Sequence, residues 1–388
     1  MMPLQASLCV ALVLALGLPA RARTSGRGDL DPALPYQARL LNPVTYTVDM
    51  RATVTAPHGT RLLRVWIPVP PSDAAQTVTD SRFESFPDPV LPSIATERVF
   101  GNCFACFEFR NPSSAEIISH RFAITTHELR FDVDAARIDV VTQWPDTFAP
   151  FLRGESQAVV LSSAVRAAAE QIVPVRTHEL GDLERVLSWI DANLRYDHSH
   201  ASLQASAEWA LCERAGHCSD YHGLCAALMR SLGYPSRVAY GINPMPKSSP
   251  SHCKAEVFLP GHGWVCFDLS ETQKLCARVA ADPALPADRK ERLIAAARKR
   301  LLAGFRDNTW FLQTRGTDYD LAPPASRKVA VVRTLFAEAD GVPLPEPDPA
   351  DPSKHEFAWM TAHSFTPDRP VVYPYADLAS LEQEAGSP

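Results

Sequence analysis

Residues 214–241 read RAGHCSDYHGLCAALMRSLGYPSRVAYG, and residues 249–271 read SPSHCKAEVFLPGHGWVCFDLSE. In the first stretch Leu224, Ala227, Leu228 and Leu232 recur at helical spacing, and Gly233 and Pro235 stand where such a helix must stop. The helix then begins at Gly216-His217-Cys218, which places the Cys218 thiol over exposed first-turn N–H groups at the positive end of the helix dipole. Both favour a thiolate and lower its pKa. Gly216 allows a sharp turn and leaves the approach to the sulfur open. In the second stretch Lys254 to Leu259 and Trp264 to Leu269 flank Pro260-Gly261-His262-Gly263, a hairpin turn, and Arg237 to Ile242 supplies a further strand. With a three-residue loop, Lys254 faces Asp268, even-numbered side chains share a face, and His252 is the diagonal neighbour of Asp268.

A thiol nucleophile needs a base, and the base needs a fixed orientation. Cys218, His252 and Asp268 are candidates for those roles, and the Cys218 N–H can serve an oxyanion. The two stretches closely resemble the core of the transglutaminase-like superfamily. They carry a Gly-x-Cys helix start, an apolar helix ending in Leu-Gly-x-Pro-x-Arg, a His-x-x-x-Glu-Val strand and a Gly-Trp-x-x-x-Asp strand, in that order. One such motif is weak, whereas four in order are specific. The resemblance implies an α+β fold, a papain-like transglutaminase core preceded by a β-sandwich domain. It also implies acyl-thioenzyme chemistry with Cys218 as nucleophile, His252 as base and Asp268 as orienting acid, on a protein or peptide substrate. Phe305 to Ala325 is similar to the tail of bacterial transglutaminase-domain proteins. There are departures. Lys254 stands where many members have an aromatic, and either repels an imidazolium or recruits an acidic substrate group. Leu269 replaces a frequent proline. Animal members use calcium through regions without a match here, so no metal and no cofactor are expected.

Working outward, residues 1–24 contain an apolar run from Ala6 to Ala20 followed by Ala20-Arg21-Ala22. The run is short for a bilayer span and reads as a cleaved secretory signal rather than an anchor, although no Lys or Arg precedes it. That reading makes the protein exported, periplasmic or extracellular, with no stable membrane span. A linker occupies roughly 25 to 42. Val44, Tyr46, Val48, Met50, Ala52 and Val54 alternate with polar residues, as do Leu63, Val65, Ile67 and Val69. His120, Phe122 and Ile124, then Leu129, Phe131 and Val133, suggest two more strands, giving a sandwich over residues 43–140 without obvious chemistry. Ser162 or Ser163 can cap a helix running to Ile172, and Asp182 precedes an amphipathic helix through Leu194. The catalytic core is expected over 155–275 and a C-terminal helical extension over 276–340, with a basic helix from Pro286 to Gly304. A weakly structured, Pro- and Asp-rich tail is expected over 341–388.

A hydrophobic share of 46% against 21% charged residues suits buried cores, and a net charge of −6 argues against nucleic acid as partner. Of nine cysteines, Cys9 leaves with the signal, and the pairing of the rest cannot be read from spacing. Cys103 and Cys106 look like half a metal site without its other half, so they read as small buried thiols or a local disulfide; Cys212, Cys225, Cys266 and Cys276 read as buried structural thiols. His198, His200, His217 and His222 show only fragments of metal-binding spacing. Tyr196, Trp209 and Tyr221 read first as core packing, with lining the cleft or assisting an oxyanion as the alternative. Arg289 to Arg300 reads as a solvated face, and Asp318 and Asp320 as surface charges. Three functions follow in order of preference: a peptidase or amidase with water as acceptor, a cross-linking transglutaminase with a lysine amine as acceptor, and a scaffold that keeps the fold without turnover. The intact Cys-His-Asp set argues against the last.

Overall fold

The computed structural model describes residues 30–138, 140–141, 143–177, 180–245, 250–345 and 359–386; the signal reading of residues 1–24 lies outside the described residues. The N-terminal part holds β1 (Arg39–Val54), β2 (Leu62–Val69), β3 (Gln76–Phe86), β4 (Ser93–Thr96), β5 (Cys103–Arg110) and β6 (Glu116–Arg130). The period-2 pattern of β1 is realised, with Val44, Tyr46, Val48, Met50, Ala52 and Val54 all buried. That single face serves two partners. Ala52 and Val54 pack with Leu63, Val65 and Phe107 of the opposing sheet, while Val44 to Met50 pack with Phe122, Ile124, Ile242 and Phe311 towards the catalytic core.

The residues read as two strands around His120 and Leu129 form one continuous strand, β6. A register shift opposite Leu41 and Val44 moves its buried positions from even to odd near Glu128, and so mimics a break in the sequence pattern.

The middle of the chain supplies the helices α1 (Ala149–Leu152), α2 (Ser163–Ile172), α3 (Leu180–Asn193), α4 (Ala207–Glu213) and α5 (Cys218–Ser231), with the short parallel pair β7 (Arg195–Tyr196) and β8 (Ala215–Gly216). Ser162 caps α2 through its hydroxyl on the Val165 N–H. Helix α5 is buried from Cys218 to Arg230, so it runs through the core instead of presenting one apolar side. It packs on an antiparallel sheet ordered β11-β10-β9-β13, formed by β9 (Ser236–Ile242), β10 (Ser251–Leu259), β11 (Gly263–Phe267) and, after β12 (Phe305–Arg306), β13 (Phe311–Arg315). Between β11 and β12 stand α6 (Leu269–Ala281) and α7 (Ala287–Ala303), the latter ended by Gly304 at φ +77°.

The C-terminal third returns to the N-terminal sheets. Strands β14 (Phe336–Ala339) and β15 (Val342–Pro343) extend the sheet ordered β15-β14-β2-β5-β4, and β16 (Trp359–Pro367) pairs with β1 along nine residues of the other sheet. Helix α8 (Leu378–Gly386) sets Leu381 against Leu275, Val279 and Leu293. The expected weakly structured end therefore carries a strand and a helix, because its few apolar residues fill a gap left by α6 and α7.

Candidate active site

Helix α5 starts where it does because His217 and Asp220 cap each other. Asp220 accepts the His217 N–H at 3.1 Å, while the His217 side chain takes the N–H of residue 220. Asp220 is held in turn by the Ser202 hydroxyl. Gly216 makes room for this cap: a Cβ there would meet Asp220 Cβ and Oδ2 at 2.6 Å. Its role is thus to admit the capping carboxylate, not to clear the sulfur. The cap fixes Cys218 as the first residue of the helix, 9% exposed at the floor of a cleft of about 420 Å³.

The hairpin has the three-residue loop, with Leu259 paired to Gly263 and Ala255 to Phe267, which sets Lys254 beside Asp268. His252 Nε2 lies 2.7 Å from Asp268 Oδ2, and the His252 side chain also bonds the Cys218 thiol. With Nε2 engaged by the carboxylate, Nδ1 is the ring nitrogen available to sulfur. Trp310 Nε1 donates to the His252 carbonyl at 3.0 Å, and Gly241, opposite His252 on β9, admits this ring, since a Cβ there would lie 2.5 Å from the indole. Asp268 is not a strand residue. It is the N-cap of α6, its Oδ1 accepting the Glu271 N–H at 3.1 Å. Asp268-Leu269-Ser270-Glu271 has the capping-box pattern, a signal present in the sequence.

Lys254 does not reach the cleft. Wholly buried, it donates to Asp268 Oδ2 at 2.6 Å and to Asp307 Oδ2 at 2.9 Å, beneath the rings of Trp310 and Tyr375. Neither expected role, repelling an imidazolium at the cleft or meeting a substrate, matches this position. A second layer lies on the other side of the sulfur. Leu269 N–H donates to His222 Nε2 at 3.2 Å, so the neutral ring carries its proton on Nδ1, 3.4 Å from Cys253 Sγ, and the Cys253 thiol bonds Cys218.

The electrostatics follow from these contacts. The Cys253 hydrogen bond, then His252 against the opposing effect of burial, hold the Cys218 thiol well below its ordinary value. Burial alone would depress His252, but the charge and hydrogen bond of Asp268 outweigh it and raise the imidazole to about 9. Burial would raise Asp268, yet His252 and Lys254 hold it well below the carboxylate range. Burial pushes His222 down to about 4, which keeps it neutral. These directions together favour a thiolate–imidazolium pair beside a carboxylate.

Other residues singled out from sequence fall elsewhere. Tyr196, His198 and His217 line the cleft, whereas Tyr221 turns its hydroxyl to Gln273 at 2.6 Å and Trp209 packs on His200, itself paired with Glu213 at 3.0 Å. Cys103 and Cys106, an odd spacing apart, point to opposite faces of β5, and neither is in a disulfide. Cys212, in the last turn of the short helix α4, is exposed, contrary to expectation; Cys225, Cys266 and Cys276 are buried. Arg300 of the basic helix is buried over Phe305 and Tyr375, and Asp318 is tied to Ser156 and Gln157. Asp320 stays at the surface with Lys328. Among the described residues no group of His, Cys, Asp or Glu is arranged to hold a metal ion. Nor is any described helix long and apolar enough to cross a membrane.

A family model of the transglutaminase-like superfamily matches residues 166–269, the span that holds Cys218, His252 and Asp268. This core belongs to the transglutaminase-like superfamily. The transglutaminase-like core is embedded in a larger shared architecture. A solved structure from Cytophaga hutchinsonii, described as that of a candidate cysteine protease, superposes with a TM-score of 0.58 at 16% identity. The match covers 88% of this chain and 97% of that one. At that identity the likeness is one of fold alone. The periplasmic domain of TgpA from Pseudomonas aeruginosa matches more distantly, with a TM-score of 0.36 at 14% identity over 66% of this chain and 78% of that one. An uncharacterized protein of Haemophilus influenzae is 26% identical over 213 residues, 48% of this chain and 56% of that protein, so the chain spans little more than half the relative's length.

Proposed function

We propose that the protein is an exported cysteine acyl-transfer enzyme that opens peptide or protein amide bonds, with water as the usual acceptor. The observation that carries this reading is the line Asp268–His252–Cys218, in which one imidazole nitrogen rests 2.7 Å from a buried carboxylate and the ring bonds the thiol. Cys218 Sγ attacks the carbonyl carbon, and the resulting oxyanion is met by the Cys218 N–H at the start of α5. His252, protonated in the resting pair, gives its proton to the departing amine as the thioester forms. It then takes a proton from the incoming acceptor, and Asp268 keeps the ring in register throughout. Export rests on the apolar run Ala6 to Ala20 and the small residues at Ala20 and Ala22.

Transfer to a lysine amine uses the same three groups and is the second reading. The test is to incubate the protein and Cys218→Ala with casein and a fluorescent primary amine. Cys218-dependent fragments are expected. Cys218-dependent amine incorporation would transfer the assignment to a cross-linking transglutaminase. No Cys218-dependent product, together with a thiol that alkylates no faster than a free cysteine, would point to a scaffold.

A further inference from the structure

The hydroxyls of Tyr36, Tyr46, Tyr221 and Tyr319 are each committed to a neighbour, on Glu256, the Asn308 carbonyl, Gln273 and the Gly316 carbonyl. Tyr240 is different. It is 1% exposed, and among the described residues its hydroxyl has no hydrogen-bond partner. A buried hydroxyl left unbonded is unfavourable, and native proteins keep few of them without a use. Its place in the fold suggests the use. Tyr240 sits on β9 directly opposite Cys253 on β10, so the two side chains share a face, and Cys253 is the residue whose thiol bonds Cys218. Tyr240 also lines the cleft together with Cys218 and His252.

We propose that the Tyr240 hydroxyl is a second oxyanion donor, acting with the Cys218 N–H when a substrate carbonyl enters the cleft. The proposal rests on the acyl-transfer reading above. As the sulfur–carbon bond forms, the π pair of the carbonyl moves onto oxygen, which accepts hydrogen bonds from the Tyr240 hydroxyl and the Cys218 N–H. When the pair returns, the carbon–nitrogen bond breaks and the amine leaves with the proton from His252. The Tyr240 proton stays on its own oxygen throughout. Burial, then the neighbouring Cys253 and Cys218, push the phenol well above its ordinary value, so it remains a donor over the whole working range. The titratable groups around it are Cys253, Tyr319, Cys218 and Arg333. Tyr196, one of three aromatics singled out from sequence, also lines the cleft, but its ring lies under Lys274 at 4.3 Å.

The test compares two probes on the full chain. p-Nitrophenyl acetate acylates the thiol through an oxyanion, whereas iodoacetamide alkylates it at a saturated carbon and forms none. In Tyr240→Phe, acylation should fall by about 10²-fold, with alkylation unchanged and the melting temperature unchanged or raised, since the lost hydroxyl was buried without a partner. Unchanged acylation would overturn the proposal. So would a parallel fall in both rates, which would mean that the residue acts on the thiol. A variant that fails to fold would also overturn it, because the hydroxyl would then be structural. The acyl-transfer reading fails separately, if Cys218→Ala acylates as fast as the wild-type protein.

Discussion

Lys254 and His252 meet at a single atom: Oδ2 of Asp268 lies 2.6 Å from the lysine ammonium and 2.7 Å from the imidazole Nε2. The carboxylate that orients the candidate base is thus shared with a second cation, which Asp307 holds from behind at 2.9 Å. The charges alternate along this buried row, so the removal of one member leaves another uncompensated.

Lys254→Met should therefore destabilise the protein by about 3–5 kcal/mol, the range for breaking a buried ion pair from one side. It leaves Asp268 and Asp307 as neighbouring carboxylates, one of which must take up a proton. Lys254→Met combined with Asp307→Leu should recover part of the loss, giving a coupling of at least about 1 kcal/mol in urea unfolding. Strictly additive losses would show that the row does not act as a unit.

Asp268 carries two duties that substitution can separate. Asp268→Asn keeps a good N-cap for α6 but takes the carboxylate out of the buried row, so the melting temperature should fall through the uncompensated cations while turnover falls by about 10⁴-fold. Asp268→Ala should lose a further ~1 kcal/mol of stability with the cap. Thermal melts of both variants beside a turnover assay check the split. Equal melting temperatures would show that the Oδ1 contact to Glu271 contributes nothing.

The pH dependence should differ between probes. Cys218 is held well below the usual thiol range and His252 is raised to about 9, so the thiolate–imidazolium pair exists between those limits. Iodoacetamide reactivity should fall only on the acid side, where the thiolate is protonated. Amide turnover should fall on the alkaline side as well, as pH rises through about 9 and His252 loses the proton needed by the leaving amine. An alkaline limb near the ordinary imidazole value would contradict the raised state.

A hydrogen bond from Cys253 to its sulfur does most to lower the Cys218 thiol. Cys253→Ala should move the acid limb of the alkylation profile to higher pH, and Cys253→Ser, which keeps a donor, should move it less. Identical limbs in all three proteins would remove Cys253 from the account.

The residues that touch one another through local geometry were readable from the sequence. Gly216 to Cys218 marks a helix start, and Pro260 to Gly263 fixes the hairpin register that brings His252 to Asp268. The cap of α6 at Asp268 is also written there, in the Asp268–Glu271 spacing, although the apolar pattern on its own carries the strand on to Leu269. Asp307, Trp310 and Tyr375 were not legible. They reach Lys254 from 53, 56 and 121 residues away, and no periodicity reports contacts of that range. The same limit hid the join of β16 to β1, since a strand read in isolation does not name its partner. Tyr240 is not legible either, because in sequence it looks like any core aromatic and only the fold leaves its hydroxyl without a neighbour.

The pairing of Tyr46 with Pro367 has a consequence for how the chain is made. Synthesis delivers β1 well before β16, so one edge of β1 waits, bare, while the whole core is threaded out. Closing a loop of that length costs about 5 kcal/mol in chain entropy, which must be met before the last strand docks. Until then the nascent protein presents a long template for pairing with other chains. A chaperone that shields β1 would thus matter more for this fold than one that guards the helices, and a nascent chain halted before residue 359 should aggregate although its entire transglutaminase-like core has been synthesised.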